Sequence, residues 1–185
     1  MAVTLVLEDG TGIDDANTYQ LVADFRTYFD NLGIDTSALL DAAVTAALFE
    51  TGSCLLEICF TYKGLISFPE TPQALSWPRT GLRDRRGLEV PADSIPNEIK
   101  KAQNELARTV ALQAADGGRY SYSDSPTNTG AEKRNKLDVL EEEFYGPGTA
   151  FTIEISKDVQ SFISKILRPY ITGGNAFHVT NVAVI

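Results

Sequence analysis

The stretch Gln73-Ala-Leu-Ser-Trp-Pro-Arg79 holds the only tryptophan of the chain. Pro78 fixes its own backbone φ and disfavours the helical conformation for the residue before it. We therefore expect Trp77 on extended chain, where its indole can insert between other elements. Because tryptophan is highly buried on average, we predict that Trp77 is a structural core plug, with a platform for stacking a ligand as the alternative.

A helix is predicted to follow from Pro96 to about Ala115, since proline lacks an N–H that a first helical turn does not need. Apolar or small residues recur on one face at helical spacing: Ile99, Ala102, Leu106 and Val110. Polar residues are expected mostly on the other side: Lys100, Lys101, Asn104 and Arg108. This pattern is typical of an amphipathic helix that faces a core.

Two further helices are predicted before this stretch, after a short strand from Val3 to Leu7. The first is capped by Asn17-Thr18 and ends at Gly33, with an apolar stripe of Val22, Phe25, Phe29 and Leu32. The second begins near Thr36 or Ser37 and extends towards Tyr62, with a possible bend at Gly52. Its alanine-rich middle would allow close approach of another helix.

A last helix is predicted after Ser156, which is placed to cap it. Its core face would consist of Val159, Phe162, Ile163 and Ile166. The segment 137–145 fits a strand or a helix. The expected fold class is mainly α: a small helical bundle with a short β-element and an extended C-terminal arm. We expect a helical domain over 1–170, with long loops at 63–95 and 117–135, and an arm over 171–185.

The acidic composition of the chain argues against a protein whose main function is to bind nucleic-acid phosphates. The chain has 185 residues, a formal net charge of −9 and a pI of about 4.6. An acidic chain is a poor candidate for gripping phosphates, which requires Lys and Arg. Cys54 and Cys59 are interpreted as two buried, reduced thiols, a weak indication of synthesis in a reducing cytoplasm. No signal peptide and no run approaching a membrane span are expected.

Two stretches are candidate contact sites. The loop Arg79-Thr-Gly-Leu-Arg-Asp-Arg-Arg86 is the most basic patch of the chain, and Arg79, Arg83, Arg85 and Arg86 could contact an acidic neighbour or DNA phosphate. A solvated or salt-bridged loop tip is the alternative. The last segment, Tyr170 to Ile185, has no Lys, Arg, Asp or Glu side chain, is apolar and is β-prone. Such a segment should be covered by its own domain or by a partner. We favour a partner that binds Phe177, His178, Val179, Val182, Val184 and Ile185.

Signs of catalysis are missing from the sequence. His178 is the sole histidine, and nothing places a nucleophile and an orienting acid beside it. There is no phosphate-binding loop and no clustered set of metal ligands, and the spacing of Asp9, Asp14 and Asp15 does not fit an EF-hand. The sequence therefore predicts no enzyme, no catalytic residue, no cofactor and no metal.

Several ordered motifs resemble a family of tailed-phage proteins. They are Glu8-Asp-Gly-Thr-Gly12, Ala16-Asn-Thr-Tyr19, the tryptophan stretch with Ile95-Pro96, Lys101-Ala-Gln103 and Leu167-Arg-Pro-Tyr170. The resemblance covers roughly residues 5–170, less well between 119 and 150. Such proteins are often labelled DnaT-like single-stranded-DNA-binding proteins, and by architecture they resemble head–tail connector adaptors. The long tail and the basic loop depart from the family pattern.

The resemblance implies a structural virion protein at the head–tail junction, made in the host cytoplasm. An adaptor of this kind forms a ring, usually of twelve copies, on the portal protein. It extends the DNA channel and offers a platform to the next neck or tail protein, a stopper or tail completion protein. DNA would pass without specific binding, and no membrane would be involved. The C-terminal arm would dock on the portal, while the basic loop would meet a neighbouring subunit or the portal.

The two labels make opposite physical demands. Single-strand binding requires a basic groove with exposed aromatic residues. A DNA conduit requires a wall that repels DNA, which net negative charge provides. The acidic composition favours the adaptor, and a single-stranded-DNA-binding accessory protein remains the alternative.

Overall fold

The computed structural model describes residues 3–70, 72–115 and 155–172. Helices α1 to α3 are Val22–Asn31, Asp41–Glu50 and Leu56–Cys59, and a π-helical turn, Thr51–Leu55, joins α2 to α3. Strands β1 (Leu65–Ile66) and β2 (Arg79–Thr80) precede α4 (Asn97–Ala115) and α5 (Lys157–Leu167). The described chain is mainly helical with one small antiparallel sheet, which confirms the expected fold class.

Helix α4 lies between two groups of buried side chains. A central cluster packs the first half of α4 against α5 and the tryptophan stretch, and includes Trp77, Ile99, Leu106, Ile163 and Leu167. An N-terminal cluster packs the second half of α4 against α1 and α2, and includes Phe25, Phe29, Val44, Leu48, Ala107 and Ala111. The predicted apolar face of α4 is confirmed, because its four apolar residues are all buried.

Small residues let α2 and its π-helical extension approach α4 and the N-terminal segment. Ala47, Ala107 and Ala111 are buried at the contact between α2 and α4. At Gly52 a Cβ would lie 2.5 Å from the carbonyl oxygen of Asn17 and 2.8 Å from Nε2 of Gln103. Gly52 lies in the π-helical turn, and glycine is needed there because of this close approach.

The N-terminal segment differs from the prediction. Leu7 forms only an isolated parallel bridge with Thr18, and no strand spans residues 3–7. Asn17 does not cap a helix, since its side chain accepts from the Val6 N–H at 3.0 Å and donates to the Thr4 carbonyl. Helix α1 instead starts at Val22. Its predicted end is right, because Gly33 adopts a φ of +69° just after it.

The predicted start of α2 at Thr36 or Ser37 is also wrong, because the segment forms a turn. Asp35 accepts a hydrogen bond from the Ser37 N–H at 2.8 Å. The guanidinium of Arg26 donates to the carbonyls of Thr36 and Leu39, which occupies groups that a helix would use. Helix α2 therefore begins only at Asp41.

Several exposure predictions are wrong, and the first concerns Leu32, which was expected on the apolar stripe of the first helix but is 53% exposed. Asn104, expected on the polar side of α4, is only 2% exposed and lies where α1 faces α4. Phe162 is 41% exposed, since α5 turns Ile163 and Leu167 to the core instead. Cys54 is exposed and Cys59 is half-buried, and both thiols are free. The N-cap of α5 is confirmed: the Ser156 side chain accepts from the Val159 N–H at 3.3 Å.

Trp77 is fully buried. Its peptide bond to Pro78 is cis, and its ring meets Tyr62 and Tyr170 edge-on at centroid distances of 5.7 and 5.5 Å. Aromatic pairs in this geometry add to the stabilisation that burial itself provides. Trp77 thus joins Tyr62, just before β1, and Tyr170, just after α5, in one core.

One helical stretch, Asp41–Cys59, is long and apolar enough to cross a membrane by length and composition, with a mean hydropathy of 1.4. The expectation that no run approaches a span is wrong by this criterion. Core helices of soluble proteins pass the same test, and Val44, Leu48 and Leu56 of this stretch are buried within the protein. One such helix is weak evidence for a membrane span.

Candidate interaction site at a cationic cleft

The basic loop is an ordered turn built around Asp84. The Asp84 carboxylate accepts from the N–H groups of Arg86 and Leu88 at 2.8 and 2.9 Å. Gly87 has a φ of +82°, which suits glycine and closes the turn. The backbone hydrogen bond from Leu88, followed by contacts with Arg86, lowers the pKa of the Asp84 carboxyl group. The arginines of the loop are therefore presented on a defined backbone.

The C-terminal end of α5 forms the other wall. Arg85 donates to the carbonyl of Lys165 at 2.8 Å, which ties the loop to the helix. On the other side, Nζ of Lys63 lies 3.4 Å from the carbonyl oxygen of Arg168 and 3.2 Å from that of Pro169. Cations are favourable at this position because the last carbonyls of a helix carry partial negative charge.

Between these walls lies an open cleft of about 740 Å³. We define the cationic cleft by its lining residues: Arg83, Asp84, Arg85, Lys165, Arg168 and Pro169. Asp84 pairs with Arg86 at 3.1 Å. Within the described ranges, Arg83, Arg85, Lys165 and Arg168 form no ion pair with a carboxylate. The cleft therefore offers four cationic groups that can bind an anionic partner.

The structure separates the four predicted arginines of the loop. Arg83 and Arg85 line the cleft, whereas Arg86 is paired with Asp84. Arg79 lies elsewhere: it donates to the carbonyls of Lys63, Gly64 and Ser76, and its guanidinium sits 6.0 Å from the Tyr62 ring centroid. Burial lowers the pKa of Arg79. These contacts give Arg79 a role in holding the sheet.

The sequence reasoning missed Lys165 and Arg168, which lie 79 and 82 residues after Arg86, the last residue of the loop. The only feature of the sequence that could have pointed to them is their place at the C-terminal end of α5. Lys165 lies on the helix and Arg168 directly follows it, and both are exposed beside buried Ile163 and Leu167. Helical spacing predicts that face, but no local pattern predicts that the loop packs against it. The predicted arm residues, Phe177 to Ile185, lie outside the described residues.

Besides the cationic cleft, a network of hydrogen-bonded polar side chains around Glu57 lies next to Trp77. Glu57 accepts from the Tyr19 hydroxyl at 3.0 Å and from the N–H and hydroxyl of Ser76. Burial, and then the charge of Glu57, raises the pKa of Tyr19 well above its usual value. The network fastens the tryptophan stretch to α3. No group of three or more His, Cys, Asp or Glu residues placed to hold a metal occurs in the described ranges.

The fold and cleft define a small, mainly helical protein with a charged interaction surface. A family model described as "Putative DnaT-like ssDNA binding protein" matches residues 3–183. The chain belongs to this family. Searches among curated proteins and among solved structures gave no match.

Proposed function

We propose that the protein is a ring-forming head–tail adaptor of a tailed phage. In this role it attaches to the portal protein, extends the DNA channel and provides a platform for the next neck or tail protein. Its work is structural and needs no catalytic group. The C-terminal arm docks on the portal, and the genome passes through the ring without being held.

The burial of most aromatic side chains is the observation that carries this proposal. Tyr19, Phe25, Phe29, Phe60, Tyr62, Trp77 and Tyr170 are all buried. In the described ranges only Phe49 and Phe162 are exposed aromatic residues, at 37% and 41%. Binding of single strands uses exposed aromatic side chains for base stacking. A net charge of −9 further opposes a protein that holds DNA.

Electron microscopy of the protein with its portal tests the proposal, and rings on the portal are the expected result. Deleting residues 173–185 should abolish attachment to the portal while circular dichroism still shows the helical domain. Persistent monomers in the presence of portal would contradict the adaptor. Attachment that survives the deletion would contradict only the role of the arm.

A second candidate is a single-stranded-DNA-binding accessory protein. The family description names this activity, and so supports it more directly than it supports the adaptor. The cationic cleft also favours it, with the exposed ring of Phe162 one helical turn from Lys165. Fluorescence anisotropy of a labelled oligonucleotide at near-physiological salt tests this candidate. Tight, salt-dependent binding that is lost in Arg83→Glu/Arg168→Glu would support it and count against the adaptor.

A further inference from the structure

The charge of the chain is distributed very unevenly. The first 62 residues contain ten Asp and Glu residues and a single basic residue, Arg26, so they carry the whole net charge of −9. The remaining residues contain fifteen acidic and fifteen basic groups. The described protein therefore has an acidic part, which includes α1 and α2, and a separate cationic cleft on α5 and the basic loop.

The acidic part presents a defined surface at the connection between α1 and α2. We call it the acidic surface and define it by exposed Asp30, Leu32, Asp35, Leu40 and Asp41. Asp41 is paired with Arg26 at 2.8 Å, whereas Asp30 and Asp35 form no ion pair in the described ranges. Leu32 and Leu40 are 53% and 76% exposed, which leaves two large apolar side chains on the same surface as Asp30 and Asp35.

We propose that the cationic cleft of one copy binds the acidic surface of a second copy. In the part of the chain that the structure describes, the four cations of the cleft form no ion pair, and neither do Asp30 and Asp35 of the acidic surface, so the two surfaces carry complementary charge. Each of the two surfaces also has exposed apolar side chains. These are Leu32 and Leu40 on the acidic surface, and Leu88 next to the loop that lines the cleft. A protein partner buries such side chains, and long polyanions are repelled by the chain as a whole.

The two surfaces lie on different elements, so one molecule can engage two neighbours. The acidic surface belongs to the helices packed in the N-terminal cluster, while the cleft belongs to α5 and the loop that pack in the central cluster. Contact between unlike surfaces is heterologous, and repeated heterologous contacts close into a ring when the rotation permits. The inference deepens the proposed adaptor and rests on it, because it names the contacts between subunits of the ring.

A charge-swap experiment tests the inference. Arg83→Glu/Arg168→Glu reverses the cleft, and Asp30→Lys/Asp35→Lys reverses the acidic surface. All four side chains are exposed, and circular dichroism checks that each variant folds. By sedimentation velocity at low salt, each variant alone should associate about tenfold or more weakly than the wild type. An equimolar mixture should recover assembly, because each reversed surface then meets its complement.

Lys101→Glu/Lys157→Glu is the matched control, since both lysines are exposed and lie outside the cleft. It changes the net charge by the same amount and should assemble as the wild type does. A wild type that stays monomeric, or a mixture that fails to recover assembly, overturns the inference. If the cleft variant assembles normally into rings, the inference fails while the adaptor stands. If that variant instead loses binding to a single-stranded oligonucleotide, the inference and the adaptor both fail.

Discussion

Gln103 is the polar side chain that joins three separate segments inside the protein. It is fully buried on α4. Its Oε1 accepts from the Tyr19 N–H at 2.9 Å, while its Nε2 donates to the Thr18 hydroxyl at 2.8 Å and to the Leu48 carbonyl at 2.9 Å. Gln103→Met keeps the approximate volume and removes all three hydrogen bonds, so it isolates their contribution to stability.

The magnitude follows from what each partner loses. The Tyr19 N–H would be left buried with no partner in the described protein, which costs about 1–3 kcal/mol. The other two partners keep further hydrogen bonds: Thr18 with Gln20, and Leu48 with Thr51. Each of these losses costs about 0.5–1.5 kcal/mol. From these losses together, we expect Gln103→Met to lower the free energy of unfolding by about 2–6 kcal/mol.

Urea unfolding followed by circular dichroism measures this change. With a slope of about 2 kcal/mol per molar urea, the midpoint should fall by about 1–3 M. Lys101→Met, an exposed site on the same helix, is the control and should change stability by less than about 0.5 kcal/mol. A loss below about 1 kcal/mol for Gln103→Met would refute the idea that this side chain fastens the N-terminal segment to α4.

Three further outcomes are expected. Gly52→Ala should destabilise the protein by about 1–3 kcal/mol in urea unfolding, because the added Cβ would overlap the Asn17 carbonyl. The control, Ser53→Ala, should have a small effect. Equal effects of the two substitutions would contradict the close approach at Gly52. Trp77, the only tryptophan, should show blue-shifted emission that acrylamide quenches weakly; strong quenching in the native protein would contradict its burial. Burial and then Glu98 raise the pKa of Tyr170 from 10.0 to about 12. The unfolded chain therefore loses the Tyr170 hydroxyl proton at a lower pH than the folded protein does, so stability should fall as pH rises from about 10 to about 12. The fall should be less steep in Tyr170→Phe. Identical slopes in the two proteins would contradict the pKa shift.

The sequence predicts best where a single periodic pattern decides the structure. The apolar face of α4 repeats over several turns, and burial follows the repeat. Gly33 ends α1 as its conformational freedom suggests, and Ser156 caps α5. These are local effects, in which the residue and its near neighbours along the chain settle the outcome.

Predictions failed where a distant partner competes for the same groups. Asn17 is a good helix cap by residue type, but its side chain bonds to the backbone of Val6 and Thr4. Thr36 could begin a helix, but Arg26 takes its carbonyl. The cleft depends on the contact between Arg85 and Lys165, which no local pattern contains. Tertiary hydrogen bonds of this kind override local preference.

We propose that this protein binds other proteins and does not hold DNA, although the family description names single-stranded-DNA binding. Sedimentation velocity recorded at protein and nucleic-acid wavelengths, with a single-stranded oligonucleotide present at near-physiological salt, tests both parts together. We expect a multi-subunit protein species that sediments without DNA. A monomer that carries the oligonucleotide with it would contradict both parts of the proposal.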